Sequence, residues 1–283
     1  MRKTKSITDP VFGDCVELTT KGLRAVVAPQ LGMSLVDFTI EGISILDKSG
    51  TEDFLECRKG LGPLILPHFN QEGFRPAVRE TDFFHLTALK KRSLDHPFQH
   101  GLGRYMPWRF EVGDNFVVGR LSGKEKVNGF FLKALAGFDF EAEVCYSVES
   151  YQLLVSLDVQ GEKPVAAGIH FYYDLVNAAT ATVTFPVGGQ TEPLVLPLNQ
   201  ELDNVYPVDR SKEVIKARLL TDRYSLETLV KVQGEPEERF ESLTIYSPAN
   251  ASFVCVEPLS HVPDQSYSKK RFRGAIALVP AKR

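Results

Sequence analysis

The stretch Asp95-His96-Pro97-Phe98-Gln99-His100-Gly101-Leu102-Gly103-Arg104 holds two of the chain's six histidines at a spacing of four. On a helix that spacing turns both imidazoles to one face, where they could share a metal. Pro97, Gly101 and Gly103 oppose a helix, and no third Cys, His or carboxylate stands at a familiar ligand spacing. No metal is expected, and His96 reads as a surface or turn residue. His170 lies in "VAAGIHFYYDL", an apolar, aromatic strand in which a single histidine is ordinarily a hydrogen-bonded core residue. Glu257 is harder to read as packing. The alternation Phe253, Cys255, Glu257 turns it to the side of two apolar residues, and an inward carboxylate is costly without a partner or a task. Asp203, in "NQELDNVYPVD", stands where a loop meets a strand and by itself reads as a turn or cap.

The elements that position these residues alternate apolar and polar side chains. The pattern recurs in "CVELTT" at 15–20, "LRAVVAP" at 23–29, "SLVDFTI" at 34–40, "RFEVGDN" at 109–115, "DFEAEVCYSVE" at 139–149 and "QLLVSLDVQG" at 152–161. Period two means half-buried strands. Turn signals between them suit antiparallel pairing rather than βαβ units. The expected fold is mainly β with little helix. The segment "DRYSLETLVKVQG" could be helix or strand, and "VQGEPEERFES" at 232–242 reads as a solvated hairpin loop. "GAIALVP" after the basic cluster at 269–273 reads as a closing strand. With no repeat or linker, residues 1–283 read as one domain.

Of the 283 residues, 43% are hydrophobic and 24% charged, so a large core is within reach. The formal charge of -3 offers no broad positive field for nucleic acid or an anionic membrane. No G-x-G-x-x-G or P-loop is present, so nucleotides are poor ligand candidates. The four cysteines are scattered and read as small hydrophobes, Cys255 included. Without an apolar leader or a long apolar run, the chain is expected to be cytoplasmic.

In their order along the chain, "GPLILPHFN" at 62–70, "HGLGRYMPW" at 100–108, "GIHFYYDL" at 168–175, "LDNVYPV" at 202–208 and "LTIYSPANASFVCVEPLS" at 243–260 resemble the aldose 1-epimerase (galactose mutarotase-like) superfamily. The run at 22–47 is similar to that family's opening strands, so the resemblance spans about residues 15 to 265. His-Gly-x-x-Arg-x-x-x-Trp and Glu257-Pro258 are its most specific parts.

The resemblance implies a large antiparallel β-supersandwich with a sugar cleft on one concave face. It also implies interconversion of the α- and β-anomers of a hexose by ring opening, without metal or organic cofactor. Motif by motif, Glu257 takes the general-base position and His170 the general-acid position. His100 matches a second active-site histidine, and Asp203 the carboxylate that grips sugar hydroxyls. The family commonly has an arginine directly after the position of Asn70, where Gln71 stands here; Arg75 or Arg104 is the expected substitute. Phe69, Phe74, Tyr172 and Trp108 could stack on a sugar, although core packing is the more usual use of each. A hexose-6-phosphate 1-epimerase and a non-catalytic carbohydrate-binding module are the alternatives. Glycoside hydrolysis by Asp203 and Glu257 is a third. The expected partner is a small-molecule sugar; the oligomeric state is not legible.

Overall fold

The computed structural model describes residues 3–69, 74–94, 96–186, 193–209, 211–231, 235, 238–263 and 268–281. Strand makes up 49% and helix 9%, so antiparallel sheets carry the architecture. Strands Lys3–Asp9, Gly13–Thr20, Leu23–Ala28, Ser34–Ile40 and Ile43–Ser44 form a five-stranded meander. A nine-stranded sheet runs, edge to edge, through Leu194–Pro197, Thr182–Phe185, Val214–Leu220, Ser225–Lys231, Arg271–Pro280, Gln152–Gly161, Phe140–Glu149, Phe116–Ser122 and Arg109–Val112. A six-stranded sheet runs through Leu202–Pro207, Ser242–Ser247, Phe253–Leu259, Gly168–Ile169 and Leu64–Ile65, with Phe171–Asp174 also paired to Phe253–Leu259.

The alternating segments form strands because each has one face to bury. Along Phe140–Glu149, Phe140, Ala142, Val144, Tyr146 and Val148 are buried while the residues between them are not. Its hairpin partner Gln152–Gly161 buries Leu153, Val155, Leu157 and Val159. Each Val, Leu or Phe side chain removed from water in this way contributes about 1.5–3 kcal/mol. These residues belong to one apolar cluster that also takes Leu18 and Phe38 from the meander and Phe171, Ile245, Val254 and Val256 from the six-stranded sheet. Tyr173 and Thr228 tie the six- and nine-stranded sheets together through hydroxyls 3.0 Å apart.

Segment 225–231, ambiguous as sequence, is a strand because it is paired on both sides, with Val214–Leu220 and with Arg271–Pro280. Tertiary pairing overrides its partly helical spacing. The last strand, Arg271–Pro280, lies inside the nine-stranded sheet between two partners rather than at its edge. Residues 232–234 and 236–237 of the expected acidic hairpin lie outside the described residues. Among the described residues no helix is long and apolar enough to cross a membrane.

Candidate active site

The six-stranded sheet builds the site by the same period of two. Along Phe253–Leu259, Val254 and Val256 enter the main core, and Cys255 and Glu257 point to the opposite face. That opposite face is a pocket and not apolar packing, which resolves the inward carboxylate. Cross-strand register places Thr244 opposite Glu257, Tyr246 opposite Cys255, Asp203 opposite Tyr246 and Tyr172 opposite Cys255. Together with Lys59, Phe69, Gln99, His100, Arg104 and His170, most of this array lines a cleft of about 310 Å³.

The loop carrying His100 is shaped by glycine. His100 and Gly101 both have positive φ, 60° and 93°. A Cβ on Gly101 would stand 2.1 Å from the carbonyl oxygen of Leu66, so only glycine lets the loop pass against residues 66–68. Arg104 then anchors the loop from inside. Its Nε donates to the carbonyl of Leu64 at 3.1 Å and its Nη1 to that of Arg58 at 3.5 Å, leaving Nη2 buried without a partner. Trp108 closes the turn by donating Nε1–H to the carbonyl of Gly103 at 2.8 Å. The His-Gly-x-x-Arg-x-x-x-Trp spacing is thus one folded unit that delivers an imidazole and a guanidinium to the cleft.

His170 and Glu257 meet directly, with Nδ1 2.8 Å from Oε1 and side chains 5% and 7% exposed. The His100 and His170 rings are edge to face at 5.2 Å, and Phe69 lies 4.6 Å from His100. His170 Nε2, His100 Nδ1 and Thr244 Oγ1 are buried without hydrogen-bond partners. A buried polar atom left unpaired costs about 1–3 kcal/mol, and these three share one cleft, where a polar ligand could meet them.

Burial pushes His170 below its ordinary range; Glu257 offsets part of this and Arg104 adds to it. His100 is driven well down by burial and then by Arg104, His170, His68 and His96. For Glu257, burial pushes upward, but His170, Cys255 and Arg104 outweigh it and hold the carboxyl below its usual value. Burial alone would raise this glutamate toward neutrality; the direction is reversed because the burial comes with a cation and two donors.

The sequence candidates separate cleanly. Glu257, His170, His100, Asp203 and Arg104 line one cleft, with Asp203 exposed at its edge near the start of strand Leu202–Pro207. Arg75 is exposed and lines a neighbouring groove with Val78, Leu86 and Pro97, so of the two expected arginines it is Arg104 that lines the cleft. Asn70 lies outside the described residues. Phe69 and Tyr172 face the cleft, whereas Trp108 is core, and the ring of Phe74 packs near Gly137. His96 is half-buried against His68 rather than on the surface. Lys59, Gln99, Thr244, Tyr246 and Cys255 escaped sequence reasoning, although the period-two register of the last three with Glu257 was a usable signal.

Among the described residues, His170, Cys255 and Glu257 are the group whose donor atoms, all within 4.8 Å, could surround a metal. Metal bonds of about 2.0–2.3 Å set tetrahedral ligands roughly 3.3–3.6 Å apart. The 2.8 Å contact between Nδ1 and Oε1 is instead that of a hydrogen bond.

No protein-family model matches the chain, and no curated protein does. Solved structures do. The chain is similar to the Slr1438 protein of Synechocystis, at TM-score 0.66 and 18% identity over 95% of this chain and 96% of that one. It is similar to a galactose mutarotase related enzyme of Lactobacillus acidophilus, at 0.64 and 13% over 95% and 97%. A galactose mutarotase-like protein of Lactobacillus casei matches at 0.64 and 16% over 94% and 99%. The fold is the galactose mutarotase-like β-supersandwich.

Proposed function

We propose that the protein is an aldose 1-epimerase that interconverts the anomers of a free hexose. The observation that carries this reading is the buried Glu257–His170 pair, 2.8 Å apart, on the wall of a cleft of about 310 Å³. Ring opening needs one proton taken from the anomeric hydroxyl and one given to the ring oxygen; closing on the other face returns both. Glu257, held ionised, takes the first proton. His170 in its doubly protonated form keeps Nδ1–H on Glu257 and gives its Nε2 proton to the ring oxygen. Burial makes that imidazolium a stronger acid than a solvated one, which favours the transfer. After both steps the pair has the same number of protons, so it is ready for closure without exchange with water.

Arg104 Nη2 and His100, both with unpaired nitrogen, are placed to steady the oxygen that carries charge as the ring opens. Asp203 at the edge accepts from sugar hydroxyls, and Phe69 and Tyr172 offer rings to the apolar sugar face. A free sugar is favoured over a 6-phosphate because Arg104 gives two of its nitrogens to backbone carbonyls, and a phosphate calls for two or three converging cations. Freshly dissolved α-D-glucose and α-D-galactose are expected to lose their polarimetric transient faster with the protein than without it. Acceleration confined to hexose 6-phosphates would replace the substrate, and sugar binding by calorimetry without acceleration would replace the enzyme with a binding module.

A further inference from the structure

Cys255 is fully buried in strand Phe253–Leu259, two residues before Glu257 and on the same face. Its Sγ is 3.6 Å from His170 Nδ1, the nitrogen that meets Glu257 Oε1 at 2.8 Å. The other buried thiols have no such company: Cys57, for example, gives its S–H to the backbone carbonyl of Asp53.

Proton assignment leaves one consistent arrangement. Nδ1 directs its single hydrogen at Glu257, the nearer acceptor, and so cannot accept from sulfur. Burial, reinforced by Glu257, pushes the thiol well above its ordinary range, so sulfur keeps its hydrogen. A protonated thiol between a donor and a carboxylate donates to the carboxylate. The donor atoms of Cys255, His170 and Glu257 all lie within 4.8 Å of one another, so the carboxylate is the acceptor left within the thiol's reach, and the thiol is among the groups that lower Glu257, after His170 and before Arg104.

We propose that Cys255 is a positioning residue of the acid–base pair: its S–H pins the Glu257 carboxylate against His170 in the orientation that proton transfer requires. This rests on the reading of Glu257 and His170 given above. The groups facing Glu257 from neighbouring elements are His170 and Tyr172 on the 168–174 segment, Thr244 and Tyr246 on strand Ser242–Ser247, and Arg104 and His100 from the loop. Within this set Cys255 supplies a neutral donor that neither gains nor loses charge during turnover.

The test compares Cys255→Ala, Cys255→Ser and wild type by anomer-exchange kinetics across pH and by carbon-13 NMR titration of the Glu257 carboxyl. Losing a weak donor is expected to lower kcat about 3- to 10-fold with KM changed less than about 2-fold. The Glu257 titration and the acid limb of the profile move to higher pH, and Cys255→Ser restores both, since serine donates to the same oxygen. Cys255→Val fills the volume without a donor and replaces the alanine variant if that one does not fold. A folded donorless variant with wild-type kcat and Glu257 titration overturns the proposal, as does a serine variant impaired like alanine, which marks packing alone. If wild type accelerates no sugar, the epimerase reading fails separately, and an unmoved Glu257 titration in the alanine variant still decides the contact.

Discussion

The outer face of the nine-stranded sheet and the cleft on the six-stranded sheet both display charge, with opposite bookkeeping. Outside, charges meet across neighbouring strands: Arg120 with Glu143 at 2.8 Å, Arg271 and Arg273 with Asp158 at 2.8 and 3.1 Å, and Lys216 with Glu227 at 2.9 Å. Arg120 and Glu143 are each 46% exposed, so water and salt weaken what they gain. Inside, Glu257 and His170 are almost wholly buried, and Arg104, His100, His170 and Thr244 keep polar atoms unpaired. The outer charges meet partners on neighbouring strands; the inner ones leave polar atoms that a ligand could meet. Number of charges does not mark the site; what sets it apart is that the unpaired atoms of Arg104, His100, His170 and Thr244 share one cleft with the buried Glu257–His170 pair.

Substitutions should expose this contrast, most strongly at the pair. Glu257→Gln keeps shape and an oxygen facing His170 but removes the base, and is expected to cost roughly 10²–10⁴ in kcat with the fold intact. Retained activity in a folded Glu257→Gln protein would put the cleft on the same footing as the outer face. Arg104→Met should lower kcat/KM by about 10- to 100-fold. It also has a signed pH effect: Arg104 pushes His170 and His100 down, so its removal raises both and carries the alkaline limb of the rate profile to higher pH. A limb that stays in place would remove Arg104 from the electrostatics of the pair.

His68 tests buried polarity outside the cleft. It is 1% exposed with both ring nitrogens unpaired, and burial pushes its pKa down to about 3. The unfolded chain takes up this proton near pH ~6.5 while the native chain does not, so native stability is lost as pH falls from there toward 3. His68→Leu should flatten the decline of the urea midpoint over that range; an unchanged slope would contradict the assignment. The smallest effect belongs to the outer face, where Arg120→Ala should change stability by no more than about 1 kcal/mol and activity not at all.

The sheets were legible because their signal is local. Segments 34–40 and 152–161 coincide with strands Ser34–Ile40 and Gln152–Gly161, since alternation and turn residues lie within the segments themselves. Strand Ser225–Lys231 was not legible, because its identity depends on partners before and after it in the chain. In the site, His100 and Arg104 came from a compact motif whose glycine has a steric cause visible in the fold. Glu257, His170 and Asp203 could be linked only through a family resemblance, since no spacing rule brings residues 170 and 257 to 2.8 Å. The pKa direction of Glu257 was not legible for the same reason: burial reads from its own strand, but its cation and donors come from other segments or from a thiol taken for apolar filler.

In the proposed reaction Glu257 and His170 move protons on a bound sugar. Magnetisation exchange between the α- and β-anomeric protons of glucose or galactose at equilibrium, followed by NMR with wild type and with Glu257→Gln, measures this at the reacting carbon. Exchange should be fast with wild type and fall to the buffer rate with folded Glu257→Gln; equal exchange rates for the two proteins would mean that Glu257 moves no proton on the sugar.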